Sequence, residues 1–107
     1  AEPIMSFGLM GGPMQAQGHT QMVLRLVDYG QNPQAAADGP RWQILSGLEV
    51  GVDQGFAPEV LEALRQRGHI LNQLPYTAFG GAQLIHKLDD GYCAASESRK
   101  EGQAVGF

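Results

Sequence analysis

Side chains able to attack a carbonyl are few in this sequence: Thr20, Thr77, Cys93, Ser6, Ser46, Ser96 and Ser98. The bases that could activate them are His19, His69 and His86. The three histidines fall on different predicted elements, and no serine lies in the tight strand-to-helix elbow that exposes a hydrolase nucleophile. No nucleophile–base pair is therefore expected within the chain. A metal is not expected either, because the histidines lack ligand spacing and one cysteine cannot build a structural zinc site. No cofactor is expected. Each histidine reads most simply as a surface or hydrogen-bonded structural residue. Cys93, in an alternating stretch with no base beside it, reads as a small buried hydrophobe rather than a reactive thiol.

Gly11-Gly12 is the strongest local signal. It falls between a strand end and a helix start, where backbone N–H groups point outward without intrahelical partners. Such a junction binds carboxylates or developing oxyanions, and glycine lets a ligand come close to the backbone. Gln15 and Gln17 could add side-chain amides, and His19 follows them on the same first turns. A plain tight turn would look the same at this level.

The elements that must position this junction follow from periodicity. Ile4 to Met10 is an apolar run that reads as a strand, stopped by Gly11-Gly12-Pro13. From Met14 to Tyr29 the pattern is helical, with Met22, Val23, Leu26 and Val27 as an apolar stripe and Gly30 at the exit. Gly18 inside it costs ~1 kcal/mol against alanine unless something packs closely there. Asn32-Pro33 caps and opens a short helix through Asp38. Trp42 to Leu45 and Leu48 to Val52 are extended, with Ser46-Gly47 as their turn. A second main helix, Pro58 to Arg67, should bury Val60, Leu61 and Leu64, and His69 to Asn72 is again extended. Ala82 to Leu88 and Tyr92 to Ser96 form a hairpin about Asp89-Asp90-Gly91. Glu97 to Gly102 reads as a polar tail. The expectation is one mixed α/β (α+β) unit over residues 1–107, with a mostly antiparallel sheet and two main helices on one face.

Composition narrows the partners. A chain of 107 residues buries roughly 65% of its unfolded surface, so its core is thin. Glycine, at 15 residues, is about twice its usual ~7% share, which predicts many tight turns. The net charge of −4, with few and scattered basic residues, offers no positive face for nucleic acid. No apolar run approaches the ~20 residues that span a bilayer. Ile4 to Met10 is apolar on both faces, whereas two helices cover only one side of the sheet. A strand of that kind is normally buried on both sides, so something outside this sequence should cover the other face.

The run Met10-Gly11-Gly12-Pro13-Met14-Gln15-Ala16-Gln17-Gly18-His19 resembles the strand–Gly-Gly–helix segment of the gamma-glutamyltranspeptidase family, closest to a branch with G-G-x-M-Q-x-Q-G-H. Asp28-Tyr29-Gly30-Gln31-Asn32 through Ala36 to Pro40-Arg41-Trp42 is similar to a second family segment. Gly68-His69, Phe79-Gly80-Gly81-Ala82-Gln83, and Ser96-Glu97-Ser98-Arg99-Lys100-Glu101-Gly102 with Gly106-Phe107 also match. The matches are collinear and cover nearly the whole chain.

The resemblance implies the C-terminal part of the small subunit of an N-terminal-nucleophile hydrolase, a four-layer αββα sandwich whose precursor cuts itself in two. A new N-terminal threonine attacks a gamma-glutamyl amide, and the acyl group passes to water or an amine. Gly11 and Gly12 would supply the oxyanion hole through their N–H groups, with Gln15, Gln17 and His19 near the substrate. This sequence starts at Ala1, not threonine, so the nucleophile is expected upstream and the chain alone is expected to be inactive. Pro13 stands where transpeptidases often carry serine, which puts glutathione as substrate in question, and Ser98 replaces a usual proline. The implied partners are the rest of the precursor and a small-molecule amide, with no nucleic acid or membrane. Self-association is expected if the chain is isolated. A non-catalytic binding module on the same fold is the alternative.

Overall fold

The computed structural model describes residues 2–106, so Ala1 and Phe107, which figure in the family resemblance, lie outside the described residues. In chain order the elements are β1 (Met5–Met10), a 3-10 turn (Gly12–Met14), α1 (Gln15–Val23) running into a π-helical turn (Leu24–Asp28), and α2 (Pro33–Asp38). There follow β2 (Trp42–Ser46), β3 (Glu49–Val52), α3 (Pro58–Gln66), β4 (Ile70–Gln73), a 3-10 turn (Tyr76–Phe79), β5 (Gly81–Lys87) and β6 (Tyr92–Ser96).

The fold is α+β, and its strands divide between two three-stranded sheets, β1-β5-β6 and β2-β3-β4. The first is antiparallel throughout, with Met10 opposite Gly81 and Leu84 opposite Ala95. In the second, β3 and β4 run parallel because α3 is the crossover between them. Side chains of α1 explain why the sheets stay separate. The Gln21 amide donates to the Trp42 carbonyl at 2.8 Å and accepts from the Trp42 N–H at 3.1 Å. Gln17 accepts from the Ile44 N–H at 2.7 Å. Two glutamines thus occupy the edge of β2 where another strand would pair.

The core lies between the first sheet and the helices α1 and α2: Leu9, Met22, Ala36, Ala37, Ala82, Leu84 and Ala95 are buried, with Met5, Phe7 and Leu26 packed against them. Asn32 caps α2 through its side chain, which accepts from the Ala35 N–H at 2.8 Å. Gly18 is buried under Leu9, and a Cβ there would overlap the leucine side chain, so the glycine admits the helix to the strand.

Two details depart from the periodic reading. The stripe on the first helix does not hold: Met22 is buried, whereas Val27 is 73% exposed. The helix widens after Val23, with the Tyr29 N–H reaching back to the Leu24 carbonyl, and this rotates Val27 off the core. Arg25 turns toward α2 instead and donates to the Ala36 and Pro40 carbonyls. Helix α3 buries none of its residues; Val60 is exposed, and Leu61 and Leu64 are half-buried. It packs on β4 rather than on the core sheet, so the second helix on that sheet is the short α2. Cys93 is half-buried in β6, opposite His86.

The far face of the first sheet carries Ile4, Met10, Ile85 and Tyr92, all exposed. The tail, at Gln103 to Val105, shares a groove with Gly8 and Ile85 on that side. The apolar outer face expected from β1 is therefore present and open among the described residues.

Candidate active-site turn and the ion network beneath it

The chain leaves β1 through Gly11 (φ 147°) and Gly12 (φ 58°), conformations that side-chain-bearing residues rarely adopt. The Gly11 carbonyl accepts from the Met14 N–H at 3.1 Å, closing the turn, and Pro13 sits in its first positions. Among the described residues neither the Gly11 nor the Gly12 N–H donates to an acceptor. A Cβ on Gly12 would meet nothing within 4 Å, so that side of the turn is open to an approaching ligand. Two adjacent free donors on glycine can hold a negatively charged oxygen.

The other residues marked in the sequence are not all gathered here. Gln15 is exposed at the start of α1, beside the turn. Gln17 uses its carbonyl on Ile44, as described. His19 accepts the Leu9 N–H on Nε2 at 3.3 Å, which leaves Nδ1 carrying the proton and donating to the Gln15 carbonyl at 2.6 Å. Its ring also lies 5.7 Å from that of Phe7. His19 therefore ties α1 to the free edge of β1.

The floor of the turn is Gly80 (φ 73°), which is buried. Its Cα would lie 3.4 Å from a Cβ placed on Gly11, and a Cβ on Gly80 would overlap the Met10 carbonyl. The strand end and the Gly80 segment therefore touch backbone to backbone.

Behind Gly80 lies a buried ion network. Arg41 donates to the carbonyls of Phe79 at 2.8 Å and Ala37 at 2.9 Å, and to Glu97 at 2.6 Å; both Arg41 and Glu97 have fully enclosed side chains. Glu97 also accepts the Ala82 N–H at 2.7 Å and an Arg99 N–H at 2.5 Å. Arg99 continues to Asp53 and to the carbonyls of Ala37 and Gly39. The segment read as a polar tail thus folds inward. Sequence reasoning assigned these residues no role, although Pro40-Arg41-Trp42 and Ser96 to Gly102 stood among the family matches. A glutamate or arginine in a polar stretch resembles a solvated residue until the fold supplies its partners.

Burial works to raise the Glu97 carboxyl, but hydrogen bonds from Arg41, the Ala82 N–H and Arg99 outweigh it and hold the group below its ordinary 4.5. Burial pulls Arg99 down, yet Asp53 and Glu97 carry it above its usual value. Burial draws Arg41 below its usual value against the pull of Glu97, though an arginine stays charged throughout the working range. A carboxyl whose folded pKa is depressed stabilises the fold fully above its unfolded pKa. That stability is lost as pH falls through the folded value. Thermal unfolding of the protein carrying this chain should therefore hold its midpoint above about pH 6 and drop once pH falls below ~4.5. In a Glu97→Gln variant that acid-sensitive component should be missing; an identical acid profile in both proteins would contradict the assignment.

Comparison with known proteins identifies the family. Residues 1–107 match the model of the Gamma-glutamyltranspeptidase family. The glutathione hydrolase-like YwrD proenzyme of Bacillus subtilis is 30% identical over 99% of this chain, which covers 22% of that protein. The oxamate amidohydrolase proenzyme of Klebsiella pneumoniae is 29% identical over 97% of this chain and 21% of that protein. The chain thus spans about a fifth of the length of these curated relatives. Among solved structures, a cephalosporin acylase from Bacillus halodurans superposes with a TM-score of 0.94 at 41% identity, over 99% of this chain and 20% of that one. A gamma-glutamyltranspeptidase from Pseudomonas nitroreducens, at 19% identity, shares the fold with a TM-score of 0.86 over 97% of this chain and 55% of that one. The α+β fold is the one these N-terminal-nucleophile hydrolase structures share. The chain belongs to the gamma-glutamyltranspeptidase family.

Proposed function

We propose that this chain is the C-terminal portion of an amide-cleaving acyltransferase or hydrolase in which Gly11 and Gly12 form the oxyanion hole. The reading rests chiefly on one observation: two free N–H groups on adjacent glycines at a strand-to-helix junction, seated on Gly80. The nucleophilic threonine belongs to another part of the same protein, so the chain alone is inactive. Attack on a gamma-glutamyl or related amide would drive the carbonyl electrons onto oxygen. The two N–H groups would hold that charge while the amine leaves. Water or an acceptor amine then attacks the acyl-enzyme, the ester bond to the threonine breaks, and the hydroxyl recovers its proton as the acyl product leaves. The relatives' names speak of a glutathione hydrolase-like proenzyme, an oxamate amidohydrolase and a cephalosporin acylase, which supports amide acyl transfer as the shared chemistry without singling out one donor. The rest of the protein is the partner of the open face around Ile4, Met10 and Ile85, and the isolated chain should self-associate through it.

In the full protein, Gly11→Ala would press a Cβ against Met14 and Gly80, and Gly12→Ala would place one in the ligand's path. Both variants should lower kcat on amide substrates by about 10²–10³ with KM little changed, the size expected for losing one oxyanion donor. Steady-state kinetics that leave kcat intact in both variants would remove the oxyanion assignment.

A further inference from the structure

We infer that Glu97 and Arg41 are positioning residues for the Gly11-Gly12 turn, acting through the Gly80 segment; the inference rests on the oxyanion reading. The two side chains hold that segment from both ends. Arg41 donates to the Phe79 carbonyl at 2.8 Å, immediately before Gly80. Glu97 accepts the Ala82 N–H at 2.7 Å, two residues after it. The two clamps are bonded to each other at 2.6 Å, so they form one rigid bracket. Between them Gly80 cannot shift without breaking a buried hydrogen bond. On its other side there is no room for a side chain: a Cβ on Gly80 would overlap the Met10 carbonyl, and one on Gly11 would lie 3.4 Å from the Gly80 Cα. The bracket therefore sets where the Met10–Gly12 backbone lies, and with it the direction of the two free N–H groups.

The arrangement is more specific than general stabilisation requires. Glu97 spends one oxygen on Arg41 and on the Ala82 N–H together, and gives the other to Arg99. A charged bracket held by Arg99 and Asp53 from behind is stiffer than packing alone, because each member has directional partners. A donor pair displaced by about 1 Å can cost ~10²-fold in rate.

The test uses the full protein with three variants: Glu97→Asp, which keeps the charge but retracts the carboxylate by one methylene, Glu97→Gln, and Leu64→Ala as a control in α3. The donor is gamma-glutamyl-p-nitroanilide, assayed beside a small panel of simple amides. Nitrogen-15 amide signals of Gly11, Gly12 and Ala82 are followed in the same proteins. The inference expects kcat to fall by about 10²-fold with KM within a few-fold, and the Gly11 and Gly12 signals to move with that of Ala82. Leu64→Ala should alter neither. If the Ala82 signal moves while those of Gly11 and Gly12 stay, the bracket does not reach the turn and the inference is overturned. The same holds if kcat is unaffected in both Glu97 variants while Gly12→Ala still lowers it. If the glycine signals move but Gly12→Ala leaves kcat unchanged, the bracket stands and the oxyanion reading fails instead. Should both Glu97 variants fail to fold, the paired replacement of Arg41→Met with Glu97→Leu removes the bracket while keeping buried volume, a kind of exchange that folded proteins often tolerate. Unmoved Gly11 and Gly12 signals in that protein would equally overturn the inference.

Discussion

Gly80→Ala should be among the most damaging single substitutions in this chain, costing roughly 3–5 kcal/mol, from strain at positive φ together with a steric clash. The φ of 73° alone is costly for any residue with a Cβ. The added methyl would also overlap the Met10 carbonyl and crowd the Leu9 side chain. Leu9 could yield by changing rotamer. The carbonyl cannot, because Met10 is held in the β1–β5 pairing opposite Gly81. Either β1 moves off β5 or the turn at Gly11 opens. Gly91→Ala makes the control, since a Cβ there meets nothing within 4 Å. The measurement is the unfolding midpoint in denaturant for both variants in the protein carrying this chain. A Gly80→Ala loss no larger than that of Gly91→Ala would refute the close backbone approach.

Arg41→Ala should cost a similar amount, about 3–5 kcal/mol, for an electrostatic reason. The substitution removes one of the two guanidinium groups on Glu97 while leaving that carboxylate enclosed. It also strands the carbonyl of Phe79 away from water, while the Ala37 carbonyl keeps only its Arg99 donor. Arg41→Lys keeps the charge but not the planar fork that reaches three acceptors at once, so it should recover only a minor part of the loss. Denaturation of both variants, together with hydrogen exchange at Ala82, checks this. Lysine restoring full stability would mean that charge alone holds the site. Near-neutral alanine would mean that Glu97 is solvated in the protein.

The junction carrying Gly11 and Gly12 was legible because it is local. An apolar run, two glycines and a proline before an amphipathic stretch dictate strand, turn and helix in that order, and the structure places them so. The β5–β6 hairpin about Asp89-Asp90-Gly91, the Asn32 cap and the α3 helix were legible for the same reason. The uncovered face could be inferred because Ile4 and Met10 flank the strand with apolar side chains on the side away from Phe7 and Leu9. What escaped was non-local. Nothing around Gln17 and Gln21 says that their amides would close a strand edge some twenty residues away. The wide turn at Leu24–Asp28 is a departure from the 3.6-residue period, which a periodic reading must miss. Glu97 and Arg99 look like any exposed pair until Arg41 and Asp53 are brought to them from more than forty residues off.

The glutamine seal on β2 also has a bearing on how this fold ages. A neighbouring strand would close that edge with peptide groups, which do not change character over time. Here the seal is two primary amides, which water slowly converts to carboxylates and which belong to the heat-sensitive residue types. Deamidation at Gln21 would turn the group donating to the Trp42 carbonyl into a second acceptor facing it. The backbone of β2 would then lie open to pairing with another chain, the usual hazard of a bare strand edge. Slow chemical change at that amide would therefore bare a strand edge at the boundary between the two sheets.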